Sequence, residues 1–253
     1  MSSAAVSSAT VMVERNVRLS SRNIEALLTS VMLPILILVL FVYLFGGAIQ
    51  TGTAEYVDYA LPGVLLLCTG FVSALTATRV SEDLQEGIVD RFRSLDVGGA
   101  AILGGHVAGS MLRNAVSVTL LIAAALLIGF RPAATPFEWL AVIGLLALFV
   151  FAISWVAAVF GLLAKTPEGA AGFQFFVMFL PYPSSAFVPV ETMPTWLHGF
   201  AENQPATPVI ETVRGLLMGT PSGASAALAV AWCVGISVTA IVVAALLFRR
   251  RVG

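Results

Sequence analysis

Long stretches without a charged side chain constrain this chain more than any other feature. No Asp, Glu, Lys or Arg lies between Glu25 and Glu55, and five further apolar stretches of similar length follow. A helix needs about 20 such residues to cross the roughly 30 Å hydrocarbon layer of a membrane. The sequence therefore predicts an all-α membrane protein with six transmembrane helices, at about 27–45, 59–78, 100–130, 138–164, 169–187 and 224–248.

The overall composition supports this prediction. Hydrophobic residues make up 58% of the 253-residue chain and charged residues only 11%, whereas a soluble domain carries about 25% charged residues. The chain has more apolar side chains than a globular core can bury, so the remainder must face lipid. Its net charge of −1 argues against nucleic acid as a partner. Cys68 and Cys233 lie inside apolar stretches, where thiols act as small hydrophobes.

The basic residues are distributed unequally between the two sides of the predicted bundle. One side has only Arg131 and Arg214, accompanied by several acidic residues. The other side has Arg15, Arg18, Arg22, Arg79, Arg91, Arg93, Lys165, Arg249, Arg250 and Arg251. Because short cytoplasmic loops are enriched in Arg and Lys, we expect a multi-pass protein of the cytoplasmic membrane. Both termini are then cytoplasmic, which an even number of spans satisfies.

Arg113 is the one basic residue inside a predicted span. Two interpretations remain open. If the third helix begins near Ala100, Arg113 lies in its inner half and can extend toward the headgroups or pair with a neighbour. Alternatively, it is a functional charge that faces the interior of a dimer.

The N-terminal segment, residues 1–26, precedes the transmembrane domain at 27–253. Arg15, Arg18 and Arg22 recur at helical spacing, opposite a largely apolar face. This pattern predicts a basic amphipathic helix that lies in the headgroup layer and binds anionic membrane lipids. A simple positive-inside anchor would use the same residues.

The cytoplasmic stretch at 79–97 combines apolar residues at helical spacing with charges of both signs. We expect the second span to continue into the cytoplasm and to break at Gly87, because glycine disfavours helix. An amphipathic element of this kind is suited to docking onto another protein. A solvated loop with ordinary helical ion pairs is the alternative.

The external segment at 183–222 is expected to form two helices that are too short to cross a membrane. They lie at about 195–202 and 208–218, and they carry scattered polar residues that include Trp196, Gln204, Glu211 and Arg214. Short helices can enter the outer leaflet partway if protein covers their ends.

The residues that several kinds of chemistry require are absent from the sequence. The only lysine, Lys165, has no glycine-rich loop before it, so the chain lacks the Walker A motif of P-loop ATPases. No predicted span has a carboxylate near its centre, as ion-driven carriers usually do. His106 and His198 are expected on opposite sides of the membrane, so they cannot share a metal or a catalytic serine. No catalytic or metal site is predicted, which leaves a channel, a scaffold, or a permease powered by another chain.

Five segments resemble, in order, those of the ABC-2 class of exporter permeases, and specifically of the daunorubicin-resistance type. They are Arg-Asn-Ile-Glu-Ala-Leu-Leu at 22–28, Tyr-Val-Asp-Tyr-Ala-Leu-Pro-Gly at 56–63, Gly-Ile-Val-Asp-Arg-Phe-Arg-Ser-Leu at 87–95, Gly-Phe-Arg-Pro at 129–132, and Ser-Ser-Ala-Phe-Val-Pro-Val-Glu-Thr-Met-Pro at 184–194. The resemblance covers nearly the whole chain.

The resemblance implies the type V, or ABC-2 exporter, fold. In such permeases the N-terminal amphipathic helix is an elbow helix, and the segment between spans two and three is a coupling helix that contacts the ATPase. The corresponding residues here are Glu82, Glu86, Gly87, Asp90, Arg91, Phe92 and Arg93. Re-entrant half-helices between spans five and six close the outer mouth, and the candidate gate residues here are Trp196, Gln204, Pro205, Glu211 and Arg214.

The resemblance also implies the partners. Two permease copies would assemble with two ABC ATPase subunits, which bind ATP and Mg²⁺, so this chain binds no cofactor itself. The expected cargo is a small hydrophobic or amphipathic compound, such as a drug, exported across the cytoplasmic membrane of a prokaryote. A permease for a lipid or lipid-linked glycan and a non-transporting scaffold are the alternatives. Two departures from the family pattern are Asp96, where a proline is frequent, and Gln204, where an asparagine is common.

Overall fold

The computed structural model describes residues 24–48, 55–87, 99–220 and 223–252. These residues form helices and connecting turns, and no strand is present among them. We number the α-helices in chain order: α1 Ile24–Leu40, α2 Tyr56–Gln85, α3 Gly99–Ile128, α4 Pro136–Leu163, α5 Pro167–Ala171, α6 Phe173–Phe179, α7 Thr195–Asn203, α8 Ala206–Leu217 and α9 Gly223–Val252. A π-helical turn at Phe41–Phe45 continues α1, and a short 3₁₀ turn lies at Val190–Thr192. Residues 1–23, which hold most of the segment predicted to contain the elbow helix, lie outside the described residues, as does the segment 88–98.

Four helices are long and apolar enough to cross a membrane: Tyr56–Gln85, Ala101–Ile128, Pro136–Leu163 and Gly223–Arg250. The apolar stretch Val31–Phe45 is a shorter helix. Each of the four long helices contains or overlaps one predicted span, and α2 extends past residue 78 as far as Gln85. That extension follows the amphipathic pattern seen in the sequence.

The predicted fifth span at 169–187 is not one continuous helix. It is divided into α5 and α6 at Gly172, and turns replace helix from Leu180 to Phe187. Pro181 and Pro183 explain the later break, because neither has the N–H that a helix requires from its residues. The division at Gly172 was not expected from the pattern of apolar residues.

Helix α2 lies at the centre of the bundle. In its most apolar window 89% of the residues are buried, compared with 67% in α4 and 22% in both α3 and α9. The buried face of α2 packs against α1, α3, α4, α6 and α8. Helices α3 and α9 expose mostly apolar side chains.

Close contact between α2 and α4 depends on Gly161. A Cβ atom added at this position would lie 2.5 Å from the carbonyl oxygen of Ala77 and 2.8 Å from Cβ of Val80. Small residues allow two membrane helices to approach in this way, because packing rather than the hydrophobic effect drives their association. The two backbones therefore meet directly.

Two hydrogen bonds mark the ends of the bundle. At one end, the N–H of Ala133 in the α3–α4 turn donates to the carbonyl oxygen of Leu217 on α8 at 2.9 Å. At the other end, Nε2 of Gln85 donates to the carbonyl oxygen of Lys165 at 2.7 Å. We call these the α8 end and the Gly87 end. Helix α2 reaches both.

We expect Gly161→Ala to lower stability, by about 1–3 kcal/mol, because the added methyl group overpacks the α2–α4 contact. Gly144→Ala is the matched control on the same helix, since no atom lies within 4 Å of its added Cβ. The control should be neutral or slightly stabilising because alanine favours helix over glycine. Thermal unfolding of the detergent-purified protein measures both. Equal melting temperatures for the two variants would contradict the close packing.

Candidate functional site

Arg214 organises the α8 end of the bundle. Its side chain is almost fully buried, although arginine is normally exposed. Nε and Nη2 donate to the carbonyl oxygen of Tyr59 at 3.2 and 3.1 Å. Nη2 also donates to the carbonyl oxygen of Ser185 at 2.6 Å, and Nη1 pairs with Oε1 of Glu211 at 2.7 Å. The guanidinium carbon lies 3.8 Å from the centroid of the Tyr59 ring.

These contacts compensate the cost of removing a guanidinium from water. An uncompensated buried charge costs several kcal/mol, so such groups persist only where hydrogen bonds and an opposite charge surround them. Arginine suits this position because its rigid fork of N–H groups reaches several acceptors at once. Arg214 thus links α8 to α2 and to the segment 183–187.

The segment 183–187 is fixed from two sides. The hydroxyl of Tyr56 on α2 donates to the carbonyl oxygen of Phe187 at 2.8 Å, and Nε2 of Gln204 donates to the carbonyl oxygen of Pro183 at 3.2 Å. A Cβ added to Gly63 of α2 would lie 2.5 Å from Cβ of Ala186. We call Tyr56, Tyr59, Gln204, Glu211 and Arg214, together with the backbone of 183–187, the α8 cluster.

The structure brings only some of the predicted gate residues together. Glu211 and Arg214 form an ion pair, and Gln204 is bound to the same backbone segment as Arg214. Pro205 directly precedes α8. Trp196, on α7, has 80% of its surface exposed and takes no part in the α8 cluster.

The tyrosines of the α8 cluster were not among the predicted site residues. Tyr59 contributes both its ring and its backbone carbonyl, and Tyr56 contributes its hydroxyl. Their spacing at the start of an apolar helix is a usable signal, because interfacial tyrosines commonly bond at their polar tip. The contact of Ser185 has no such signal in the sequence, because it is made by a backbone carbonyl, which every residue has.

The Gly87 end carries the predicted ATPase-coupling residues that the structure describes. Helix α2 ends at Gln85, and Gly87 has a positive φ of 67°, a conformation that glycine adopts without strain. Glu82 lies 3.5 Å from Nη1 of Arg79, and Glu86 caps the helix through its backbone. Asp90, Arg91, Phe92 and Arg93 lie outside the described residues, as do Arg15, Arg18 and Arg22 of the predicted surface anchor.

Two contacts brace the end of α2. Nε2 of His106 on α3 lies 3.1 Å from Oδ2 of Asp83, and both side chains are largely buried. The amide of Gln85 binds the carbonyl oxygen of Lys165 in the α4–α5 turn. The sequence does not single out this His–Asp pair, because only the fold brings the two helices together. The end of α2 is consequently fixed to α3 and to the α4–α5 turn.

A polar network crosses the middle of the bundle. Nη2 of Arg113 donates to Oγ1 of Thr76 at 3.3 Å. One turn away from Thr76, Ser73 accepts from Nδ2 of Asn114 at 3.1 Å. The hydroxyl of Ser154 on α4 donates to that of Ser110 at 2.8 Å. The network therefore joins α2, α3 and α4.

The part of the chain that the structure describes contains no group of three or more His, Cys, Asp or Glu residues that is arranged to hold a metal ion. Both cysteines are free and buried. The arrangement is mechanical: α2 is held at both of its ends by hydrogen bonds and ion pairs to neighbouring elements.

Comparison with known proteins gives a consistent result. The profile of a family described as "ABC-2 type transporter" matches residues 8–218. The chain is 34% identical over 198 residues to a daunorubicin resistance ABC transporter permease of Streptomyces coeruleorubidus, which covers 77% of this chain and 69% of that protein. It is 23% identical over 234 residues to a probable doxorubicin resistance ABC transporter permease of Mycobacterium tuberculosis, which covers 91% of this chain and 84% of that protein.

We expect Arg214→Met to destabilise the α8 end, by about 2–4 kcal/mol, because hydrogen bonds to a charged group are lost at a buried position. Arg131→Met is the control, since Arg131 lies at the same end but is exposed. Thermal unfolding in lipid nanodiscs measures stability. Maleimide labelling of a Ser185→Cys variant measures access to the segment 183–187. Labelling should be faster only with Arg214→Met, and equal rates in both backgrounds would show that Arg214 does not hold the segment.

Proposed function

The chain belongs to the ABC-2 type transporter family, and from this we propose that it exports hydrophobic or amphipathic drugs across the cytoplasmic membrane. Members of this family are multi-pass permease subunits that work with a separate ATPase, so the chain is not itself an enzyme. The names of the relatives, which refer to daunorubicin and doxorubicin resistance, support the choice of cargo.

The observation that carries the mechanism is the continuity of α2. This helix begins with Tyr56 and Tyr59 in the α8 cluster and ends immediately before Gly87. Its 30 residues span about 45 Å at 1.5 Å per residue. From Gly63 to Gln85 the helix contains no proline, so a displacement at the Gly87 end is carried to Pro62, one turn from Tyr59 of the α8 cluster. That is the arrangement an exporter needs if ATP is used on one side and the path opens on the other.

The proposed topology has six spans with both termini in the cytoplasm of a prokaryote. Residues 1–26 form the elbow helix, with Arg15, Arg18 and Arg22 on anionic lipid. The Gly87 end then faces the cytoplasm, and α7 and α8 form the half-helices of the outer mouth. The excess of Arg and Lys in the loops of the Gly87 end supports this orientation.

The proposed complex contains two copies of this chain and two ABC ATPase subunits. The ATPases bind ATP and Mg²⁺, and they contact the segment 87–95 of each permease. Asp90, Arg91, Phe92 and Arg93 supply the contacts, and Glu82 and Glu86 on the last turns of α2 flank them. The α8 cluster closes the outer mouth when the cargo path is open to the inside. ATP-driven closure of the ATPases biases the alternative, outward-open state.

Transport by the purified complex tests the function. The chain and its ATPase partner, placed in inside-out vesicles, should accumulate doxorubicin in the presence of ATP and Mg²⁺. Vesicles in which the ATPase carries a Walker A lysine substitution are the control and should not accumulate it. A complex that hydrolyses ATP and moves a lipid-linked glycan instead would assign the cargo to the lipid class. A chain that purifies without any ATPase would favour a scaffold.

We expect the double variant Asp90→Ala, Arg91→Ala to lower drug-stimulated ATP hydrolysis at least about fivefold, because loss of charged contacts of 1 kcal/mol or more weakens docking by that factor. Glu168→Ala is the control, since Glu168 is exposed on α5 at the same end of the bundle but outside the segment 87–95. Co-purification and ATPase assays measure docking and turnover. Normal assembly and turnover by the double variant would show that the ATPase docks elsewhere.

A further inference from the structure

Helices α2 and α3 run antiparallel and meet along a row of polar pairs. Each pair takes one residue from either helix: Asp83 with His106, Thr76 with Arg113, and Ser73 with Asn114. Between the first two pairs, the position moves seven residues back along α2 and seven forward along α3, which is about two turns of helix. The two helices therefore keep one register from the middle of the bundle to the Gly87 end.

The pair nearest the Gly87 end is formed by Asp83 and His106. Its Nε2 and Oδ2 atoms are 3.1 Å apart, and the two residues are only 8% and 5% exposed. A carboxylate only accepts hydrogen bonds, so Nε2 of His106 carries the hydrogen and donates it. Hydrogen bonds to charged groups are about twice as strong as neutral ones. This pair therefore holds α3 to α2 more firmly than the neutral contact between Ser73 and Asn114.

Asp83 differs from the acidic residues beside it. Glu82 lies partly in solvent next to Arg79, and Glu86 is exposed. A buried ion pair adds little stability, because an apolar pair of similar volume does as well. A directional hydrogen bond does fix how two helices are aligned, which an apolar contact leaves free. The burial of Asp83 opposite His106 is thus better explained by alignment than by stability.

The pair lies between the two places where the chain leaves and re-enters the bundle. Asp83 is in the last turn of α2 and His106 is about two turns into α3, so the segment 88–98 connects the two helices on this side. Gly99, at the start of α3, packs on the ring of Phe248 of α9, because an added Cβ would lie 2.3 Å from its Cε1. Both ends of the segment are attached to the bundle, and the pair joins these two attachments to each other.

We propose that Asp83 and His106 form a clamp that keeps the ends of α2 and α3 together when the ATPase displaces the segment 88–98. The displacement is then passed on to α2 instead of separating the two helices. Asp83 and His106 are positioning residues, since they act through α2 and not on ATP or cargo. This proposal rests on the proposed function, in which the ATPase contacts each permease at 87–95.

The double variant Asp83→Ala, His106→Ala tests the clamp. It removes both partners and so leaves no unpaired charge in the bundle. Doxorubicin accumulated per ATP hydrolysed is measured on the permease–ATPase complex in inside-out vesicles. This ratio should fall about tenfold, because a hydrogen bond to a charged group shifts an equilibrium by about that factor. ATP hydrolysis should continue. A purely structural role would lower accumulation and hydrolysis in proportion, since an unfolded complex does neither.

Asp83→Asn is a second variant that decides the question if the double variant does not fold. It keeps the shape of the side chain and a neutral acceptor, so the ratio should fall less, by about threefold. His106→Gln is the conservative variant, because its amide Nε2 can donate in place of the imidazole. It should keep a ratio close to that of the wild type. A loss in His106→Gln as large as in the double variant would contradict a role for the hydrogen bond.

Ser154→Ala is the matched control. It also removes a buried polar contact, the bond from Ser154 of α4 to Ser110 of α3, but away from the clamp. Melting temperatures in nanodiscs show that each variant is folded. The ratio should be unchanged in Ser154→Ala. An unchanged ratio in the folded clamp variants would overturn the proposal, and so would an equal fall in Ser154→Ala.

A second measurement does not depend on the cargo. Maleimide labelling of Ser185→Cys at the α8 end is followed with and without ATP and Mg²⁺, and the buried Cys68 and Cys233 give little background. The labelling rate should respond to ATP in the wild-type background. In the double variant it should no longer respond, although ATP is still hydrolysed. A wild-type rate that ignores ATP contradicts the clamp.

The two measurements separate failure of the clamp from failure of the export function. If ATP changes labelling only in the wild-type background and neither complex accumulates doxorubicin, the clamp stands and the drug-export function is wrong. If the double variant accumulates doxorubicin at the wild-type ratio, the function stands and the clamp is wrong. Loss of ATPase co-purification with the double variant would place the pair in docking, which also overturns the clamp.

Discussion

Hydrogen bonding to α2 is the constraint on which the rest of this structure depends. In a hydrocarbon layer a polar group finds partners only within the protein. Helix α2 supplies them at four levels: the carbonyl of Tyr59 for Arg214, Ser73 for Asn114, Thr76 for Arg113, and Asp83 for His106. Each of these bonds attaches a different depth of the bundle to the same central helix.

Much of the fold follows from the sequence because lipid imposes a simple rule. Ion-free stretches of sufficient length indicate the long helices, and Gly87 indicates where α2 ends. The division of 169–187 at Gly172 did not follow, since helix formation there depends on how α5 and α6 pack on α2. Of the predicted gate, Glu211 and Arg214 form a pair at the spacing of neighbouring helical turns. The acceptors at Tyr59 and Ser185 are backbone groups, which no residue type specifies.

The same reasoning explains what the sequence missed elsewhere. His106 and Asp83 belong to helices that lie adjacent only after folding, and the two residues are 23 positions apart in the sequence. Ser154 is an isolated polar residue in an apolar stretch, and Asn114 directly follows Arg113; the partners of such residues can be identified only when the facing helices are known. Family membership indicates the ATPase partner, which the described residues do not indicate by themselves. The structure therefore shows which side chains meet, and family membership indicates the partner protein.

The contact at Gly161 has a consequence for motion. Because the backbone of α4 rests against Ala77 and Val80 of α2, the two helices cannot slide past one another without a steric clash. They form a rigid body that includes the polar network between them. A rearrangement that opens the bundle then moves α2 and α4 together, relative to the helices that pack on them. The interruption at Gly172, between α5 and α6, lies where a hinge for such a movement is available.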